Sequence, residues 1–457
     1  MHTQQPISSE RRTTAVQRPR GRGIGWLPAA IGVLVMLMVG VGLWLGYREL
    51  AARAELRGLS EQWSDGGELS PDQGLALRYR QTTHQQASAE WSRVLFLLNS
   101  RLQDTSNGLP YVDQGKVRPV LDRNAPWRAQ AEAGVYLDYM APVLAEIHQA
   151  ADGPTPVWQP IAFAGYGTLL EHIQNTRSVS RLLQLDAEYA LHQGDAERAW
   201  RDIRSLHGTA AAIDIDIFMV AQLVHVALQR SMLEMIQRSL HTDVWNDQQL
   251  QQLAELVQEP FPVREKFLRG VEGEQLVALA AVQGGQASLP AMQLVNLPTT
   301  QLALVEAYRE LHASARQATG RLSKHMDQYE RQTAANLSGL SGVLIGQFLP
   351  AVSAYARALE NGEESRQMTL TAIGLKRFEL QHRRWPASLS ELKEVGLSPG
   401  DWTIKHVGPL GYSHQGGRAY VWGIDPQATA IASERPELEV DANRRAPMAV
   451  VLSSHEE

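Results

Sequence analysis

The 457-residue chain contains no cysteine, which excludes disulfides, thioether-linked haem and thiolate metal sites. Familiar catalytic motifs are missing as well. There is no GxxxxGK[ST] phosphate loop and no His-Glu-x-x-His pair. The segment closest to a nucleophile elbow, Gly339–Gly342, lacks the last glycine in the register of the G-x-S-x-G pattern. The sequence therefore nominates no catalytic residue, no cofactor-binding residue and no metal ligand. It favours a protein that is not an enzyme, without excluding one.

Charged residues are missing from one long run near the N-terminus. Between Arg22 and Arg48, 25 consecutive residues include no Asp, Glu, Lys or Arg, and roughly 20 apolar residues suffice to cross a bilayer as a helix. Trp44 and Tyr47 lie near its end, where aromatic rings favour the headgroup level. We predict a transmembrane helix at 23–47 that contacts the lipid bilayer. A cleaved signal peptide is the alternative, although its apolar stretch would span only about 7–15 residues.

Residues 1–22 form a basic tail with five arginines and one glutamate, a charge of +4. Because basic flanks stay cytoplasmic, we predict a single-pass signal-anchor in the cell (inner) membrane, with the tail inside and the bulk of the chain extracytoplasmic. The net charge of the whole chain is −6, so the remainder carries about −10. An acidic bulk gives no electrostatic reason to expect nucleic acid as a partner.

Two further segments bear on the membrane prediction. The helical pattern continues beyond the bilayer as a stalk, 48–66, with Leu50, Ala54 and Leu59 near one face. A second stretch without charge, Gln332–Ala356, includes Asn, Ser, Gln and Pro residues, which are poorly suited to hydrocarbon. We interpret it as buried helix and loop within a core, and a second membrane segment remains the alternative.

Most of residues 67–366 is typical of α-helix, because apolar residues recur at three- and four-residue spacing. Within Leu182–Leu206, Ala187 and Ala199 flank Gly194, a pattern that predicts two closely packed antiparallel helices with a left-handed glycine cap between them. These offsets resemble one tetratricopeptide unit. Since no second copy occurs at the expected period, we favour a generic helical hairpin in a bundle or irregular solenoid.

The character of the sequence changes near residue 367. A final helix is predicted to end at about His382, because the residue before Pro386 disfavours helix. A short helix is expected over Ser388–Val395, with its first residue as cap and Glu391 at capping-box spacing.

Short β-prone segments then predict strands at Trp402–Val407, Leu410–His414, Arg418–Trp422 and Met448–Leu452. A three-residue gap, Gln415–Gly417, indicates a hairpin with a bulged turn. Four aromatic residues are expected to pack over the end of the final helix: Trp402, Tyr412, Tyr420 and Trp422.

Two groups of polar residues are candidates for a metal site and for an acid–base pair. His382, His406 and His414 lie in one small module and could converge on a metal, although a helix C-terminus for the first and exposed strand faces for the others are favoured. Asp214 and Asp216 are two residues apart, and a role in a loop or at a helix start is favoured over an acid–base dyad.

The segments Leu370–Leu392 and Pro409–Asp425 resemble the C-terminal module of uncharacterised membrane-anchored bacterial proteins that are numerous in planctomycetes. The order of helix and sheet is also similar to the globular part of type II secretion pseudopilins, although no pilin-type processing site precedes the membrane run. Arg383 stands where those relatives have Gly, and a left-handed residue there would cost roughly 1–2 kcal/mol. The resemblance implies a fold and is almost silent on activity.

The expected protein is mainly α: an N-terminal transmembrane helix, a helical-hairpin ectodomain and a small α+β C-terminal module. The predicted division is a cytoplasmic tail at 1–22, a membrane helix at 23–47, a stalk at 48–66, a helical ectodomain at 67–366 and an α+β module at 367–457. We expect a protein-interaction or scaffolding component of the cell envelope that binds other envelope proteins, with no cofactor. The alternatives are an enzyme with its site between the ectodomain and the module, and a secretion-apparatus component.

Overall fold

The computed structural model shows a mainly helical protein with small antiparallel sheets at its C-terminal end, as predicted. It describes residues 27–65, 82–104, 126–158, 170–284, 298–336, 339–415, 417–423 and 449–453. The predicted basic tail, 1–22, and the first residues of the predicted membrane run therefore lie outside the described residues.

The helices, numbered here in chain order, are α1 Leu27–Asp65, α2 Thr82–Asp104, α3 Gln130–Ala151, α4 Glu171–Gln193, α5 Ala196–Ala211, α6 Met219–Ser239, α7 Asp247–Val257, α8 Val263–Gly284, α9 Pro298–Gln317, α10 Leu322–Asn336 and α11 Gly339–His382. Two 3-10 helices follow, at Leu389–Val395 and Pro399–Trp402.

Helix α1 continues without a break from the apolar run into the predicted stalk. Its side chains are described from Met36, and the apolar ones as far as Leu50 are largely exposed. Further along, Ala52 and Leu56 are buried where α1 packs against α9. Ala54, on another side of this helix, is exposed.

Over the described residues, no helix combines the length and the apolar character that crossing a membrane requires.

Helices α2 to α6 pack on one another in successive layers, and α7 packs mainly on α11. The predicted hairpin is confirmed as α4 and α5: Gly194 adopts a left-handed φ of 78° and Asp195 caps α5 by accepting the N–H of Arg198. Ala187 and Ala199 are fully buried between the helices. Small residues and one left-handed glycine thus produce the close approach that the sequence predicts.

A second hydrophobic cluster lies between α8, α9, α10 and the first half of α11. In the stretch Gln332–Ala356, Val352, Tyr355 and Ala356 are buried in that cluster. These three side chains therefore belong to a protein core and lie on helix rather than on loop, whereas Gln332 and Ala354 are exposed.

Helix α11 is longer than the predicted final helix, since it begins at Gly339 and ends at His382. The predicted domain boundary at residue 367 falls inside it. Met368 and Phe378 belong to the same buried cluster as Trp91 of α2 and Leu452 near the C-terminus. One continuous core therefore joins the helical layers to the C-terminal module.

The C-terminal strands are β1 Thr403–Ile404, β2 Gly408–Pro409, β3 Gly411–Gln415, β4 Arg418–Trp422 and β5 Ala449–Ser453. β1 pairs with β2, and β3, β4 and β5 form a three-stranded antiparallel sheet in that order. Because Gln415 pairs with Arg418, the hairpin connection has two residues, and the predicted three-residue bulged turn was wrong.

In the turn after α11, Arg383 is left-handed with a φ of 55°. Trp402 is buried, and Tyr412 donates a hydrogen bond to the Pro386 carbonyl at 2.8 Å. The predicted capping box is wrong, because Glu391 accepts from the Ala387 N–H at 2.9 Å instead.

Candidate functional site

The three histidines of the C-terminal module do not converge. His382 ends α11, where it stacks on Phe378 and pairs with Glu394 at 3.2 Å. His414 is exposed on β3, as the favoured interpretation predicts. His406 lies in a turn with a left-handed φ of 66° rather than on a strand. Among the described residues of the module, these three histidines therefore form no metal site.

Asp214 and Asp216 lie in the turn between α5 and α6, and their side chains point to different helices. Asp216 accepts the Phe218 N–H at 3.3 Å and pairs with His172 of α4 at 2.9 Å. The predicted role in a loop and at a helix start is therefore confirmed. An acid–base dyad is not formed, because Asp214 turns instead to Lys266 of α8.

We call Asp214, His225 and Lys266 the amine centre. The Lys266 Nζ donates to the Asp214 carboxylate and lies 3.4 Å from Nε2 of His225. His225 contacts the Ala210 carbonyl through Nδ1 at 2.8 Å, which places its proton on Nδ1 and leaves Nε2 free to accept from the amine. Arg269 donates to the Asp214 carbonyl at 2.7 Å.

Burial dominates the ionisation of the amine centre. It lowers the pKa of His225 to about 4, so this imidazole is neutral at pH 7. Burial, with the nearby charge of Arg269, also lowers the pKa of Lys266 to about 7. The carboxylate of Asp214 contacts the amine directly and pulls its pKa in the opposite direction. Side-chain exposure is 4% for the lysine and 35% for Asp214, so the centre meets solvent only through the carboxylate.

A second buried group, which we call the carboxylate centre, consists of His148, Asp186 and Asp202. These residues come from α3, α4 and α5, and one donor atom from each lies within 4.8 Å of the others. No other such group of His, Asp and Glu occurs among the described residues. Nε2 of His148 is 3.4 Å from Oδ1 of Asp202, while Asp186 is held by the guanidinium of Arg198.

Asp202 is fully buried, and neither of its oxygens accepts a hydrogen bond within the described residues. Burial, and then the negative charge of Asp186, raise the pKa of its carboxyl well above the usual value. These surroundings favour the neutral form of the carboxyl.

Sequence reasoning missed both centres because their members are far apart along the chain. Asp186 stands beside Ala187, the residue that identified the hairpin, and Asp202 lies on the buried side of α5. A charged residue at an apolar position of a helical pattern was the available signal. Lys266 gave the same signal in α8, between Glu265 and Phe267.

A groove of about 310 Å³ lies at the junction of α7, α11 and the first 3-10 helix. An enzymatic site between the helical ectodomain and the C-terminal module would lie in this groove, but the charged side chains that line the groove bind other residues of the chain. Arg377 donates to Asp247 at 2.9 Å and to the Val395 carbonyl at 2.8 Å, and Glu394 pairs with His382. These contacts position the module against the helices.

Comparisons with protein-family models, with curated proteins and with solved structures gave no match to this chain.

Proposed function

We propose that the protein is a single-pass membrane-anchored scaffold of the cell envelope, held by residues 23–47. The observation that carries the anchor is the exposed apolar surface of α1. Met36, Leu37 and Met38 are 72%, 61% and 59% exposed, and Leu43 and Trp44 are 71% and 55% exposed. Consecutive residues point in different directions around a helix, so this segment is apolar on all sides. Such a helix is stable where lipid replaces water.

Orientation follows from the arginine-rich tail, which favours the cytoplasmic side. The segment just beyond the apolar run is tied to the folded domain. Glu49 accepts a hydrogen bond from the Thr299 hydroxyl at 2.6 Å at the first turn of α9, where a carboxylate is favourable to the helix dipole. Since Ala52 and Leu56 are buried below it, the domain would sit close to the bilayer at a defined angle.

Anchoring is tested by two arginine substitutions on the same helix. Met36 and Leu50 are 72% and 66% exposed, so a soluble protein would tolerate arginine equally at both. In a bilayer, Met36→Arg lies near the middle of the span and costs about 2.5–3.5 kcal/mol of insertion, while Leu50→Arg lies beyond it. We expect the wild type and Leu50→Arg to resist alkaline extraction from membranes and Met36→Arg to be released.

The side on which the bulk of the chain lies is tested separately. A protease added to cells with a permeabilised outer envelope should remove a tag fused at Glu457 while sparing a tag at Met1. Removal of the Met1 tag alone would show that the topology is reversed.

In the extraction experiment, equal release of the wild type, Leu50→Arg and Met36→Arg from the membranes would reject the anchor.

The scaffolding role draws on the layered helices and on apolar side chains that the fold leaves in solvent. Phe96 of α2 and Val135 of α3 are 76% and 72% exposed, and these two helices pack together. A protruding aromatic ring is the kind of residue that dominates binding between proteins. The partner we propose is another protein of the envelope.

Site-specific photo-crosslinking in living cells tests this role. A photoreactive phenylalanine analogue at position 96 or 135 should give a crosslinked product of one defined mass. The same analogue at Lys324, an exposed polar position of α10, is the control and should give none. Absence of a defined product at both apolar positions would reject the interaction.

A further inference from the structure

The carboxylate centre contains more negative than positive groups. Asp186 and Asp202 are 3% and 0% exposed in their side chains, and Arg198 is the cation that contacts them, through Asp186. Both oxygens of Asp202 are left without a hydrogen bond among the described residues. A buried carboxylate in that state is expensive unless a proton or a cation accompanies it.

The third member of the centre is oriented for a cation. Nδ1 of His148 is 2.8 Å from Oγ of Ser205, so the hydroxyl can accept the Nδ1 proton and leave the lone pair of Nε2 directed toward Asp202. Metal-bound histidines are commonly held by such a contact through the other ring nitrogen.

The distances fit one small ion. Nε2 of His148 and Oδ1 of Asp202 are 3.4 Å apart, and two ligands each about 2.0–2.2 Å from a tetrahedral ion are separated by roughly that distance. Asp186 brings a third donor within 4.8 Å. Both of its oxygens accept from Arg198, and each keeps a second lone pair for the ion. The side chain of His148 is 19% exposed, which provides a route from solvent.

We propose that His148, Asp186 and Asp202 bind one divalent transition-metal ion, with Zn²⁺ as the best fit. One imidazole and two carboxylates suit Zn²⁺, and a water molecule completes four-coordination. Mg²⁺ requires six near-octahedral oxygen ligands and Ca²⁺ requires six to eight, which three protein donors in a buried site do not supply. Binding would link α3, α4 and α5 and thereby stabilise the helical layers.

The competing explanation is a single proton shared between Asp186 and Asp202. The full-length protein in detergent, stripped with a chelator, separates the two. Titration with Zn²⁺ should show one equivalent bound and a higher unfolding temperature, and Co²⁺ should give the visible absorption of a four-coordinate site. Asp202→Asn should bind Zn²⁺ at least 100-fold more weakly and should still fold, because an amide resembles the neutral acid in shape.

Two further variants complete the experiment. Ser205→Ala should weaken Zn²⁺ binding by about 10–100-fold, since it removes the contact that orients His148. Asp152→Asn is the matched control: this aspartate is 48% exposed and pairs with Arg204, so Zn²⁺ affinity should not change.

The proposal is overturned if the wild type binds no Zn²⁺, or if Asp202→Asn binds it as tightly as the wild type. A response to Mg²⁺ or Ca²⁺ without one to Zn²⁺ would also overturn it.

Discussion

The carboxylate centre takes Asp202 from α5 and the amine centre takes Asp214 from the turn after it, and the two centres differ in how their charges are balanced. In the amine centre, the amine of Lys266 has a carboxylate partner in Asp214 and a neutral acceptor in His225. In the carboxylate centre, the guanidinium of Arg198 binds Asp186, and Asp202 is left without a hydrogen bond. A centre whose buried charges are balanced stabilises the fold, whereas a centre with excess buried negative charge can bind a cation.

The centres also differ in the sign of their response to pH. Asp202 has a folded pKa above 3.8, so the folded chain holds a proton that the unfolded chain loses, and this contribution to stability declines as pH rises above about 4. Lys266 has a folded pKa of about 7 against 10.5. The unfolded chain then holds the extra proton, and stability increases between pH 7 and pH 10.5.

The largest expected effect comes from breaking the amine centre through its backbone. A Cβ at Gly273 of α8 would lie 1.9 Å from the carbonyl oxygen of Ile217, in the turn that carries Asp214. Gly273→Ala should therefore lower the free energy of unfolding by about 3 kcal/mol, as measured by denaturant unfolding. Gly362→Ala is the control, since its Cβ would meet only the flexible Val226 side chain at 3.3 Å. Equal stability of the two variants would contradict the close packing.

Lys266→Met removes the titrating group of the amine centre while keeping a long side chain. Between pH 7 and pH 10 the wild type should gain about 2 kcal/mol of stability relative to this variant, because only the wild type loses the linked proton on folding. Thermal unfolding across this range measures the difference. Parallel pH profiles would show that the amine has an ordinary pKa in the folded protein.

Asp202→Asn removes the corresponding group of the carboxylate centre, and the expected sign is opposite. In metal-free protein at pH 8, the variant should be more stable than the wild type by about 1–2 kcal/mol. At this pH the buried wild-type carboxyl must either keep a proton or carry a negative charge, and the amide does neither. The advantage should shrink toward pH 4. A variant less stable than the wild type at pH 8 would mean that the Asp202 carboxylate is already balanced by a cation.

The smallest effect is expected from Arg198→Lys, which keeps the charge of the carboxylate centre but loses the two-pronged contact with Asp186. Because Arg198 is about one-third exposed, the cost should be only about 1 kcal/mol. Arg204→Lys, a substitution in the exposed pair with Asp152, should change stability less. An equal change in both would indicate that the bidentate geometry contributes nothing.

Local patterns predicted what local interactions control. The left-handed cap at Gly194, the helix end at His382 and the strand at Arg418–Trp422 each depend on neighbouring residues, and all three are confirmed. Features that depend on distant segments were missed. Nothing in the sequence indicates that α9 packs on the side of α1 that carries Ala52 and Leu56.

The amino-acid sequence alone determined the helical class, the long apolar run and the antiparallel hairpin of α4 and α5, because periodicity and turn chemistry are local properties. Tertiary structure alone decided which charges share a buried site. His148, Asp186 and Asp202 come together only when α3, α4 and α5 pack, and Lys266 meets Asp214 only when α8 docks on the turn after α5. Their partners, burial and pKa values arise from that packing and are not encoded in any short stretch of residues.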